Sequence, residues 1–420
     1  MDSQIKYVKY IKNAFLYFGA SLIPMLLNLV SNPLVAMNMS PEDYAITGYY
    51  TSFSTLLSPL IVFYMLHYYT KRYFEVTSEE RESLRTLLLK SLIYFSGIVS
   101  ILCLVGLWMY VHYFNAESTI PFTPYALLTV FALPITGVYQ LMLIDFRMER
   151  DGSRYFKVST YAGATLVALT LFFVVLLKWG ALGKLLAPFV ANCVFFVYGC
   201  YYYRKLFKVS FDKVQFIKML KFCFPLTLAA MLGFFSNGFD RVYLERLGNN
   251  TELGYYVVGV QMAAYISVFQ TAIGNTFQPD LFQAIVERNN RKLAKVVGLL
   301  VGSTACIVAV YIFAAPLVVK LLTAGRYMMS VKYTQVIALS SLTSAMYYAV
   351  SQITIAMGKS YITLLNKIFT MVCSVVMFSF LIAKYQFIGA AWGMVLSFVT
   401  SLIGNVGLLY LAKRFNFINH

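Results

Sequence analysis

The stretch SNGFDRVYLERLGNNTELGYY (Ser236–Tyr256) has an echo: SNPLVAMNMSPEDYAITGYY (Ser31–Tyr50) also opens on Ser-Asn and closes on Gly-Tyr-Tyr. The two starts lie 205 residues apart and the two ends 206, close to half of the 420-residue chain. Further matches keep the same order. Pro24 corresponds roughly to Pro225; Gln140 and Arg147 are seven apart, as are Gln352 and Lys359. Gly183 in WGALGKLLAPF and Gly389 in FIGAAWGMVLSF are again 206 apart. Each match alone is weak. Together, near one offset, they indicate an internal duplication with copies at 1–205 and 206–420.

Composition says what is duplicated. Hydrophobic residues make up 60% of the chain and charged residues 12%, against roughly 45–50% and about 25% in soluble domains. Too little polar surface exists to cover a water-soluble body, so the chain is a membrane protein. A bilayer-crossing helix needs about 20 apolar residues. Runs of that kind fall at 13–37, 44–69, 88–111, 122–146, 156–177, 181–203, 215–239, 253–278, 294–318, 333–357, 361–383 and 387–411. Strands of ~10 residues alternating in polarity, the mark of a membrane β-barrel, are not seen. Six runs per copy is an even number, so both copies start on the same side and the repeats are parallel. The expected fold is an all-α polytopic membrane protein. It has about twelve transmembrane helices in two pseudo-symmetric six-helix lobes around a central cavity.

The net charge of +17 is distributed by side. With the N-terminus inside, 26 of the 34 Lys and Arg fall in cytoplasmic segments. This is the positive-inside bias, and it places both termini in the cytoplasm. The basic charge orients the protein and argues against nucleic acid as a partner. Tyrosine clusters in HYYTKRYF and YGCYYYRK fit an interfacial aromatic belt. The N-terminal apolar run is too long for a signal peptide and is expected to remain as the first helix. All six cysteines fall within expected spans without C-x-x-C spacing and read as packing residues. Of the connecting segments, 70–88 and 204–221 are amphipathic; the second is expected to lie as a helix on the inner leaflet or to act as a hinge.

The catalytic inventory is nearly empty. The sequence Gly358-Lys359-Ser360 lacks the first glycine of a Walker A loop, since position 353 is Ile. His67, His112 and His420 lie in separate segments and form no metal set. No outer loop carries the paired carboxylates of glycosyl transfer. The expectation is a protein that is not an enzyme, with no metal and no organic cofactor.

What remains is polarity inside the spans, where a buried polar face is a functional-site hypothesis. Ser21, Pro24, Asn28 and Asn32 share one face of the first helix by steps of three and four. Phe234, Asn237 and Arg241 do so on the seventh, and Gln261, Tyr265, Phe269, Ala272 and Asn275 on the eighth. Lipid penalises such faces, so they are expected to look into a cleft. The competing reading is interhelical hydrogen bonding, worth ~0.6 kcal/mol per pair.

The seventh-helix region FPLTLAAMLGFFSNGFDRVYLERLGNNTELGYYVVG resembles the signature of polysaccharide (O-antigen and capsule-type) flippases. These belong to the multidrug/oligosaccharidyl-lipid/polysaccharide exporter superfamily. The pattern is a proline, then Asp-Arg, Leu-Gly and Gly-x-Tyr, matched by Pro225, Asp240-Arg241, Leu247-Gly248 and Gly254-Tyr255-Tyr256. FRMERDGSRYF, GKSYITLLNKI and IGAAWGMVLS resemble the family more loosely. The resemblance implies transfer of undecaprenyl-diphosphate-linked oligosaccharides across a bacterial inner membrane by alternating access. Lipid-linked oligosaccharide, membrane lipids and other glycan-assembly proteins are the implied partners. One departure is that the first helix carries Asn28 and Asn32 where some members have a charge.

Such a cargo combines an anionic diphosphate with many hydroxyls, and a cleft must replace their water. Arg241 offers phosphate a forked, permanent charge, and Asn28, Asn32, Asn237, Gln261 and Asn275 offer amides to sugar. Asp240 points about 100° away round the helix and either fixes lobe packing or carries a coupling ion, Na+ or H+. Pro24 and Pro225 are assigned to coupling or structure. Arg241 also fits a rim charge paired with Glu245. A drug or metabolite exporter of the same fold, and a membrane glycan polymerase or ligase, are the alternative functions.

Overall fold

The computed structural model describes residues 2–356 and 360–416; Gly358, Lys359 and His420 lie outside the described residues. Two compact units emerge, Met1–Met231 and Leu232–His420. The first contains α1 (Asp2–Asn38), α2 (Pro41–Val62), α3 (Met65–Arg72), α4 (Ser78–Lys90), α5 (Ser96–Met109), α6 (Tyr125–Met148), α7 (Gly152–Thr170), α8 (Gly180–Tyr202) and α9 (Lys213–Met231). The second contains α10 (Phe234–Asn237), α11 (Phe239–Glu245), α12 (Asn250–Ala263), α13 (Ile266–Val286), α14 (Asn290–Leu322), α15 (Val331–Ala356) and α16 (Ser360–Asn416). No strand occurs among the described residues.

Among the described residues ten helical stretches are long and apolar enough to cross a membrane, and α2 with α3, bent by 50°, counts as an eleventh span. Tyr361–Leu411 counts once in that tally but holds two spans, because Gln386 leaves the helix at φ 50°, ψ −130°. The twelve spans read from the sequence are therefore present among the described residues.

The units repeat one packing scheme. In the first, α1 packs on α7, α2 and α5 on α6, and α6 on α8. In the second, α10 and α11 pack on the first half of α16, where Phe239 meets Phe378. There α12, α13 and α14 pack on α15, and α15 on the second half of α16, where Thr354 bonds Asn405. The paired glycines have a shared physical reason. A Cβ at Gly183 would sit 3.0 Å from the Phe173 backbone, and one at Gly389 would sit 2.1 Å from the Leu381 carbonyl oxygen. Each glycine lets the sixth helix of its copy start hard against the end of the fifth.

Lipid tails are as apolar as leucine, so helices in a bilayer are held by close packing and hydrogen bonds rather than by hydrophobic exclusion. In the first unit the packed centre is formed by Tyr69, Leu84, Leu88, Leu92, Leu141 and Phe146. In the second, a buried polar seam joins the two halves of α16. Asn366 Nδ2 donates to the Ser401 carbonyl at 2.9 Å, Thr370 and Ser401 share a bond of 3.1 Å, and Ser374 donates to Ser397 at 3.1 Å.

Two expectations are corrected. The 204–221 segment is not a surface helix: it makes one 3-10 turn at Leu206–Lys208 and turns extended at Val209. Asp212 then accepts from the Val214 and Gln215 amides at 2.9 and 3.0 Å, starting α9 at Lys213 as a membrane span. Segment 70–88 likewise ends in a span, because the Thr77–Glu80 capping box starts α4 at Ser78, which continues into Glu79–Phe114. The tyrosine clusters are divided. Tyr198, Tyr201 and Tyr202 are exposed as an aromatic belt requires, whereas Tyr68, Tyr69, Tyr73 and Tyr203 are buried.

Candidate functional site

The seventh span is not one helix. It turns at Leu232–Gly233 and again at Gly238, where φ is −155°, so the Phe234–Asn237–Arg241 face does not persist. Phe234 and Arg241 are buried while Asn237 is exposed, its amide 3.4 Å from the Gly233 carbonyl. Beyond the break, Asp240 is fully buried and accepts the Tyr256 hydroxyl of α12 at 2.6 Å. Tyr256 in turn stands edge-on to Tyr333 of α15 at 5.5 Å and lies 3.4 Å from the Met394 sulfur of α16. Asp240 thus ties α11 to the helices of its own unit. Arg241 Nε lies 3.8 Å from Asp240 Oδ2, a loose ion pair between neighbours that the 100° rotation along an unbroken helix did not anticipate.

Half-way along the spans of α13, α14 and α15 lies a cavity of about 360 Å³. That is at the small end of ligand pockets, ~300–1,000 Å³. Gln270 and Asn275 face it from α13, Thr304 from α14, and Ser344, Tyr348 and Ser351 from α15. Gln270 is held in place by donating to the Ser341 carbonyl at 2.5 Å and the Ser344 hydroxyl at 2.9 Å. Among the described residues that line it there is no carboxylate and no cation. The site presents amides, hydroxyls and aromatic faces at membrane depth, a set suited to a neutral, hydroxyl-rich ligand.

Of the residues expected from the sequence, only Asn275 lines this cavity. Gln261 is half-buried on α12, one break away, because the eighth helix is interrupted at Ala264–Tyr265. In the first unit Asn28 is exposed and bonds its own helix at the Pro24 carbonyl, 2.9 Å away, while Asn32 is buried. Pro24 presses on α7, where a Cβ at Gly163 would come within 2.5 Å of it. Pro225 is exposed on α9. The polar spacing of SSLTSAMYYAVSQ (Ser340–Gln352), with Ser344, Tyr348 and Ser351 at steps of four and three, was the sequence signal for the missed wall.

A second polar cluster was also missed. Asp145, the lone carboxylate of α6, is buried and accepts from the Tyr69 hydroxyl, from Tyr203 at 2.5 Å and from Arg85 Nε at 3.0 Å. Arg85 also pairs with Glu149. Burial and the adjacent Asp145 carboxylate hold the Tyr203 phenol well above its usual pKa. Close by, Lys90 Nζ donates to the Val209 carbonyl at 2.7 Å and pins the segment that leads to α9. The carboxylate in LIDFRMER, inside an otherwise apolar run, was the available signal.

Solved structures agree on the fold. An inward-facing multidrug resistance MATE family transporter of the MOP superfamily matches with TM-score 0.69 at 16% identity, covering 94% of this chain and 99% of that one. The lipid II flippase MurJ in an inward closed conformation matches with TM-score 0.70 at 15% identity, covering 95% and 87%. Among curated proteins, "Lsg locus putative protein 1" of Haemophilus influenzae is 24% identical over 293 residues, 67% of this chain and 68% of that protein. The profile of the family described as "Polysaccharide biosynthesis protein" matches residues 10–284. The chain belongs to this polysaccharide biosynthesis protein family.

Proposed function

We propose that the protein moves undecaprenyl-diphosphate-linked oligosaccharide from the inner to the outer leaflet of a bacterial inner membrane by alternating access. The mid-membrane cavity of Gln270, Asn275, Ser344 and Tyr348 carries this reading. Its amides and hydroxyls can replace the water that sugar hydroxyls lose, and its tyrosines offer faces to sugar rings. Arg241 is the partner for the diphosphate, and Asp240 fixes α11 in place. A wall of amides, hydroxyls and phenols favours a hydroxyl-rich glycan over an apolar drug.

Gln270→Ala with Tyr348→Ala is expected to cut surface glycan at least ~10-fold, the effect of losing one to two hydrogen bonds, at unchanged protein abundance. Normal glycan together with lost resistance to cationic drugs would transfer the cavity to the exporter reading. Topology supplies an independent check. A cysteine at Asn250 is expected to label from outside the cell, and a tag within 204–212 to be reached only from the cytoplasm. Labelling of both from one side would break the orientation.

A further inference from the structure

A second cavity, of about 600 Å³, opens in the first unit between α7 and α8 over the end of α6. Arg154, Lys157 and Tyr161 line it from α7 at steps of three and four; Val194, Tyr198 and Tyr202 line it from α8 at steps of four. Two straight stripes therefore face each other along a groove about 12 Å long, at 1.5 Å per residue. Its two ends differ chemically. Arg154 and Lys157 lie in the first two turns of α7, beside Tyr198 and Tyr202 in the last two turns of α8, so the cations and most phenols gather at one mouth. Further along the groove, Val194 and the rings of Tyr161 and buried Phe195 leave apolar walls. Tyr161, Val194 and Tyr198 are all exposed, on segments that cross the membrane.

Charge selects the occupant. Arg154 Nε lies 3.2 Å from Asp151 Oδ2, and Lys157 stands on the same face of α7 one turn further on. A phosphodiester is an anion that these two cations can hold, and the apolar walls beyond them suit an acyl chain. We propose that this groove holds one anionic glycerophospholipid of the inner leaflet, its phosphodiester on Arg154 and Lys157 and its acyl chain along Tyr161 and Val194. The site is separate from the glycan cavity, and nothing in the transport reading requires it.

Native mass spectrometry of the full-length protein, released from nanodiscs of equal phosphatidylglycerol and phosphatidylcholine, tests this. One phosphatidylglycerol is expected to remain on the protein in preference to phosphatidylcholine. Arg154→Gln with Lys157→Gln is expected to weaken its retention at least ~10-fold, the loss of a charge-assisted contact. Lys157→Gln alone gives a smaller loss. Arg291→Gln with Lys295→Gln, which removes the same charge from α14, is expected to leave retention unchanged. Equal loss in both double variants would reduce the effect to general surface charge and overturn the site. So would equal retention of phosphatidylcholine. Displacement of phosphatidylglycerol by equimolar undecaprenyl diphosphate would also overturn it, by giving the groove to the transported lipid.

Discussion

Arg241→Ala is expected to leave little protein in the membrane, whereas Asp240→Asn with Arg241→Ala restores normal abundance. Asp240 is fully buried, accepts the Tyr256 hydroxyl at 2.6 Å and lies 3.8 Å from the Arg241 guanidinium. Removing one member of a buried pair costs about 3–5 kcal/mol, because it strands the other charge. An asparagine at 240 still accepts the Tyr256 hydroxyl and carries no charge to strand. The double variant therefore separates folding from transport. If Arg241 meets the diphosphate, surface glycan stays depressed roughly 10- to 150-fold in a well-expressed protein, the loss of a charge-assisted hydrogen bond. Arg241→Lys then recovers part of the activity, keeping charge without the fork. Normal export by the double variant would confine Arg241 to neutralising Asp240.

The cluster around Asp145 is expected to show an asymmetry between its two partners. Arg85→Leu leaves a buried carboxylate facing two phenols and should destabilise the fold by about 3–5 kcal/mol, lowering the melting temperature sharply. Asp145→Asn should be milder, because Arg85 keeps Glu149 and its side chain is 23% exposed. The double variant should melt above Arg85→Leu alone. Thermal unfolding of the purified protein decides this. Additive effects of the two single changes would mean that the residues do not act as a unit.

The membrane class and the span count were legible because apolar run length is a direct readout of bilayer thickness. The duplication was legible because close helix approach tolerates only glycine, and Gly183 and Gly389 meet that need at the same place in each copy. Helix breaks were not legible. At the bend between α2 and α3, Phe63 and Tyr64 both take φ 51°, a conformation that neither residue type announces. The same blindness misdirected the site. The stripe from Gln261 to Asn275 assumed an unbroken helix, and the interruption at Ala264–Tyr265 leaves Gln270 and Asn275 facing the cavity. Buried tyrosines escaped because Tyr69 and Tyr203 are drawn inward by Asp145, a partner 76 and 58 residues away in sequence.

The turn at Gln386 bears on how the chain is made. A single non-helical residue joins the two halves of α16, leaving no loop between them. Such a pair is expected to enter the bilayer as one hairpin. In that hairpin Asn366, Thr370 and Ser374 can bond Ser397 and Ser401 before either helix meets lipid alone. Polar side chains that would hinder the partitioning of a lone segment are thereby presented to the membrane already satisfied.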